Sequence, residues 1–180
     1  REEEAMTSLF ERIENDIGPV EVAVFNIGAN VHFSITETSA RVYRKVWEMS
    51  CFAGFLMGRA AAERMQKRGR GTIIFTGATA SIRGSAGFSA FAGAKAALRA
   101  LAQSMARELG PQNIHVAHTL IDGAIDSAFI RENFPNVDEL REQDGILNPE
   151  DIAQNYVYLH RQPRNAWTHE LDLRPWQEKW

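Results

Sequence analysis

Near the start of the chain, Met6, Leu9, Phe10, Ile13 and Ile17 recur every three or four positions with charged residues between them, which predicts a helix. Gly18-Pro19 stops it. The run VEVAVFN (Val20 to Asn26) is short and mostly apolar, as expected of a strand buried on both faces. A helical pattern follows from about Ser39 to Gln66 and ends in the basic turn KRGRG, where cations suit a helix C-terminus. GTIIFTG (Gly71 to Gly77) predicts a second buried strand, and a loop rich in Gly and Ser comes after it. Residues from about Phe88 to Leu109 read as a helix ended by Gly110-Pro111, and IHVAHTLI (Ile114 to Ile121) as a third strand. The stretch from Asp122 to Asn148 is polar and reads as irregular. Asn148-Pro149-Glu150-Asp151 then supplies an N-cap, a proline at the first helical position and acids in the first turn of a helix to about His160. HELDLR (His169 to Arg174) predicts the last strand. Strand and helix alternate, so the expected fold class is α/β, a parallel sheet between two helical layers.

A length of 180 residues at 44% hydrophobic content supports one domain with a core of its own, spanning 1–180. The net charge is −3 and the basic residues are scattered, so no nucleic-acid-binding face is expected. No apolar run approaches the roughly 20 residues needed to span a bilayer, and no membrane partner is expected. The opening REEEAMTSLF is acidic, unlike a signal or transit peptide. The single Cys51 rules out an intrachain disulfide and fits a reducing, cytoplasmic setting, where it reads as a buried small hydrophobe.

Most chemistry-bearing residues lack a site pattern. His115 and His118, three apart on a strand, face opposite sides and cannot chelate together, and His32, His160 and His169 have no ligand-spaced neighbours, so no metal is expected. GFSAF lacks the last glycine of a nucleophile elbow, and the spacing around Lys95 misses that of a phosphate loop. Lys95 stands alone on the small-residue helix FSAFAGAKAALRALAQSMARELG, which either brings its amine to a ligand or snorkels along Leu98 and Phe91. Alanines 90, 92, 94, 96, 97, 100 and 102 on that helix allow close approach of another helix or of the sheet.

Four segments carry a resemblance: VFNIGAN, GTIIFTG, FAGAKAALRALAQSMARELGPQNIHV and IDGAIDS. In order and spacing they resemble the short-chain dehydrogenase/reductase (SDR) family over nearly the whole chain, most specifically from Gly71 to Ser127. The resemblance implies a Rossmann-like three-layer α/β/α fold with a parallel sheet, NAD(P) as cofactor, and hydride exchange with the carbonyl or hydroxyl of a small-molecule substrate. It also implies a homo-oligomer, dimer or tetramer, built through the Ala-rich helix 88–109. The family's Asn-Asn-Ala-Gly falls on Phe25 to Gly28 and keeps Asn26 and Gly28. Its Tyr-x-x-x-Lys falls on Phe91 and Lys95, its catalytic serine on Ala78, and its supporting asparagine on Cys51. Its Pro-Gly falls on Asp122-Gly123 and a nearby threonine on Ser127. The implied cofactor contacts are therefore Asn26, Gly28, Lys95, Gly123 and Ser127, and of the four catalytic positions Lys95 alone is kept.

The family's Gly-rich phosphate turn is not found before Asn26, so the chain corresponds to the fold lacking its first strand-helix units. The strand Val20 to Asn26 is then expected to need cover along its open edge, from a partner chain, a further segment or a helix. In the family's mechanism the tyrosine hydroxyl exchanges a proton with the substrate oxygen while the lysine lowers its pKa from about 10. Phe91 has no such proton and Ala78 no hydroxyl. Three readings follow: an oxidoreductase relative with impaired or no conventional catalysis, a non-enzymatic oligomeric or scaffolding protein, and an active enzyme using another hydroxyl (Thr76, Thr79, Ser81 or Ser89) with an additional N-terminal segment.

Overall fold

A computed structural model describes residues 1–179. Helix α1 (Glu3–Asp16) leads into strand β1 (Val22–Phe25), and one long helical segment follows as α2 (Ala40–Trp47), a π-turn (Glu48–Phe52) and α3 (Ala53–Arg68). Then come β2 (Gly71–Thr76), α4 (Ser89–Leu109), β3 (Ile114–Ile121), two short helices α5 (Ala128–Asn133) and α6 (Val137–Glu142), α7 (Pro149–Arg161) and β4 (Glu170–Leu173). The four strands are parallel in the order β1-β2-β3-β4, with Phe25 beside Phe75 and Phe75 beside His118. The region read as irregular between Asp122 and Asn148 thus holds two six-residue helices, α5 and α6, the first capped by the Ser127 hydroxyl and the second starting after Asn136. They are too short to show a helical hydrophobic period.

Side chains alternate across the sheet as the pleat requires. Ala23, Phe25, Ile73, Phe75, Ile114 and Val116 face α3 and α4, where they meet Met57, Ala61, Met65, Leu98 and Ala102. Ile74 and Ala117 face the other way, toward Leu159 and Tyr156 of α7. The chain steps across the sheet in one direction, yet α3 and α4 lie on one face and α7 on the opposite face. The β3–β4 crossover therefore has the opposite hand to the two before it, a departure from the usual uniform handedness. As a result β2 and β3 are packed on both faces.

The expectation of a strand buried on both faces fails for β1. It is the edge of the sheet among the described residues, and Val24, on the α7 side, is 44% exposed. α7 covers β2 and β3 and stops short of Val24, while α1 packs on α3 rather than along the open edge. The long helical segment also differs from a continuous α-helix. Its π-turn lets Trp47 and Phe52, five positions apart, stack at 5.8 Å, with Phe55 continuing the row at 6.1 Å. Among the described residues no helix is long and apolar enough to cross a membrane.

Candidate functional site

α4 buries Ala90, Phe91, Ala94, Lys95, Leu98, Ala102 and Leu109, which recur at three, four and seven positions and so share one face. Lys95 is carried inward by this phase rather than snorkelling to solvent, and only 3% of it is exposed. Its Nζ donates to the carbonyl oxygen of Thr76 at the end of β2 (2.8 Å) and to that of Ile27 just past β1 (3.0 Å). These backbone acceptors replace lost water. Burial still pushes the Lys95 ammonium down to about 8, because no carboxylate is paired with it among the described residues. The Phe91 ring lies one turn earlier on the same face, its centroid 5.8 Å from Nζ.

Both side chains open onto a cleft of about 500 Å³ at the carboxyl ends of the strands, where open α/β sheets bind ligands. Asn26, Gly28, Ala78 and Gly123 line it with Lys95 and Phe91, so the structure gathers most of the residues singled out in the sequence. Two stand apart. Ser127 does not line the cleft, and its hydroxyl instead accepts from the Ile130 amide to cap α5. Cys51 does not line it either. It is buried in the π-turn, and burial raises its thiol pKa, so it remains a neutral thiol.

The hydroxyls available to replace a phenol are largely committed. Thr79 donates to Asp122, whose carboxylate is buried and also paired with Arg174 at 3.2 Å and Arg83 at 3.6 Å. Ser81 accepts from the Ala78 amide at 3.1 Å. Ser89 does not line the cleft, and its buried hydroxyl has no hydrogen-bond partner among the described residues. Thr76 pairs with the Tyr156 hydroxyl at 2.7 Å, on the α7 side of the sheet.

Three features were not visible to sequence reasoning. Arg83 and Ser85 line the cleft from the loop before α4, and a charged loop residue carries no periodic signal. Tyr156, three residues before the buried Leu159, lines a second cleft of about 270 Å³ that shares Asn26, Thr76, Ile121 and Ile125 with the first. Its helical phase with Leu159 was the available clue. The acceptors of Lys95 are backbone carbonyls and have no sequence signature.

Behind the cleft, His118 is fully buried with Nδ1 3.0 Å from Glu170, which also takes both arms of Arg99 at 2.6 Å. Burial pushes His118 down to about 4, against the pull of Glu170. An ordinary histidine titrates near 6.5 in the unfolded chain. The unfolded state therefore binds more protons between these values, and this stability is present above about 6.5 and lost as pH falls toward about 4. Glu170, its pKa lowered by Arg99, adds a loss of the same sign as pH falls. Urea midpoints should thus drop from pH 7.5 to pH 5, and less steeply in His118→Gln. An equal drop in both proteins would assign the effect elsewhere.

The family model described as enoyl-(acyl carrier protein) reductase matches residues 1–168. A short-chain dehydrogenase from Rhodopseudomonas palustris has a crystal structure that superposes with a TM-score of 0.80 at 47% identity, covering 97% of this chain and 71% of that one. A 3alpha-hydroxysteroid dehydrogenase of Mediterraneibacter gnavus is 27% identical over 161 residues, 86% of this chain and 63% of its own. Dehydrogenase/reductase SDR family member 4 of Homo sapiens is 34% identical over 115 residues, 63% of this chain and 41% of its own. The chain spans less than two thirds of the length of these two curated relatives. Motif order, strand-end cleft and these likenesses agree: the chain belongs to the short-chain dehydrogenase/reductase family.

Proposed function

We propose that residues 1–180 form one domain of an NAD(P)-binding oxidoreductase fold whose cleft holds the ribose end of the nucleotide and whose conventional carbonyl reduction is impaired. The observation that carries the reading is the pair Phe91–Lys95: the lysine is in place, and the side chain beside it is an apolar ring. A protonated Lys95 has three N–H groups, two of them on Thr76 and Ile27, so one remains for a ribose hydroxyl. Asn26 is exposed at the cleft and engages no other group among the described residues, which leaves its amide free for the same ligand. Backbone around Gly28 is open, with nothing within 4 Å of a Cβ built there, and so allows close approach. The residues present fit the nicotinamide-ribose end of NAD(P). The substrate side would take a small carbonyl or hydroxyl compound of apolar body, given the walls Ile27, Phe88, Ile121 and Ile125.

Fluorescence titration with NADH and NADPH tests this reading. Saturable binding is expected, weakened about tenfold or more in Lys95→Met, a change that removes one charge-assisted hydrogen bond. No binding to the unaltered chain at millimolar nucleotide would overturn it.

A second reading, a non-enzymatic homo-oligomer, is favoured by one surface. Ala96 and Ala100 stand exposed on α4, and the row Trp47, Phe52 and Phe55 presents stacked rings, Trp47 at 40% and Phe55 at 38% exposed. A second copy is the occupant that such a small-residue helix suits, with the rings as anchors. Sedimentation should give a multiple of 20.2 kDa that Ala100→Glu reduces to the single-chain mass. A monomer at high micromolar concentration would remove the support for this reading.

A further inference from the structure

A buried amine with two hydrogen-bond acceptors and no counter-charge is chemically unusual. Once neutral, the Lys95 amine has two N–H groups, which the carbonyls of Thr76 (2.8 Å) and Ile27 (3.0 Å) satisfy completely. Its lone pair then has no donor among the described residues, and the cleft that Lys95 lines is where a partner can reach it. Burial that lowers the amine to about 8 leaves it about half neutral at pH 8, whereas a solvated lysine at about 10.4 has almost no neutral form there. The groups nearby do not reverse this. His118 on β3 is neutral, and Arg83 on the loop is paired with Asp122. The phenol that would otherwise hydrogen-bond near the amine is replaced by the Phe91 ring.

We propose that Lys95 captures apolar aldehydes covalently, as an imine, in the strand-end cleft. The Nζ lone pair attacks the carbonyl carbon to form the C–N bond. The two amine protons then leave with the carbonyl oxygen as one water molecule, and a C=N bond remains. No oxidant, reductant or metal is needed. Protonation of the imine from solvent restores one N–H, enough to keep one of the two carbonyl contacts. Desolvated lysines are suited to this chemistry for the same reason that they are poor cations. Ile27, Phe88, Phe91, Ile121 and Ile125 select an apolar aldehyde body, aromatic or aliphatic. This activity goes beyond the nucleotide reading: it uses the neutral amine where a ribose hydroxyl uses the ammonium, and either can fail alone.

The test treats the full chain with benzaldehyde or hexanal and sodium cyanoborohydride at pH 8, then reads intact mass and peptide maps. The sequence holds four lysines, Lys45, Lys67, Lys95 and Lys179, so the map is unambiguous. A reduced adduct on Lys95 should form about tenfold faster than on Lys45 or Lys67. Lys95→Arg, which keeps the charge and cannot form an imine, should lose the fast adduct alone. Phe91→Tyr, which retains the amine, should slow it. If the unaltered protein carries adducts only on Lys45, Lys67, Lys179 and the terminal amine, or on Lys95 no faster than on these, the proposal is overturned whatever the variants do.

Discussion

The double variant Phe91→Tyr with Ala78→Ser is expected to reduce small apolar carbonyls with NADPH at least about 10²-fold faster than the unaltered chain. The estimate follows from the separate worth of the two groups, since a positioned general acid contributes about 10²–10⁴ and an oxyanion donor about 10²–10³. Both positions line the cleft, and Lys95 stands beside position 91 to bring the new phenol toward working pH. That help is conditional. With Lys95 lowered to about 8, its field on the phenol weakens as pH rises past that value, and the variant's rate should fall there. Phe91→Tyr alone should recover less than the pair. Nucleotide binding, measured in the same samples, separates a failed site from an empty one. Equal rates in variant and parent at saturating nucleotide would count against the reading of Phe91 as the cause. So would robust turnover of the parent that Ser85→Ala abolishes, because Ser85 is a cleft hydroxyl with no other engagement among the described residues.

Gly77→Ala should cost about 3 kcal/mol of stability and lower the melting temperature by roughly 6–12 °C, far more than a methyl group warrants elsewhere. A Cβ at this position would stand 2.2 Å from Nε2 of His118 and 2.8 Å from Oγ of Ser81. Neither neighbour can step aside cheaply. His118 is fully buried and held by Glu170, and Ser81 holds the Ala78 amide. Gly77 therefore lets the chain leave β2 over the imidazole and deliver Ala78 to the cleft. Relief of the clash should show as coupling: His118→Ala in the Gly77→Ala background should restore part of the loss, with Ser81 keeping the remainder. Additive losses in the double variant would mean that the imidazole is not the obstacle.

The order of elements was legible because each long element obeys its period. The apolar face of α4, the apolar run of β3 and the Asn148–Pro149 start of α7 all appear where the chain predicts them. What escaped depends on partners in space. Val24 reads as a core residue, yet its burial depends on a neighbour beyond β1, which is the sheet's edge here. Ser127 matches a motif by spacing, and in the structure its hydroxyl accepts from the Ile130 amide at 3.4 Å, a contact that spacing alone does not show. Lys95 was found by its place on α4, but its state was not, because two main-chain oxygens and burial determine it. Tyr156 was overlooked because only the reversed hand of the last crossover brings α7 beside Thr76.

The wide turn at Glu48–Phe52 implies an uneven tolerance of the long helix to changes in length. A regular helix advances about 100° per residue, so excising one residue near Ala60 would swing all that follows away from its core neighbours. Excision within the wide turn would instead let the flanking coils close into continuous α-helix with both ends left in place. Trp47 and Phe52 would then stand four apart on one face of the helix, where their rings can still meet. Here a single codon could be gained or lost in evolution while the barrel of contacts under Ala53–Arg68 stayed in register.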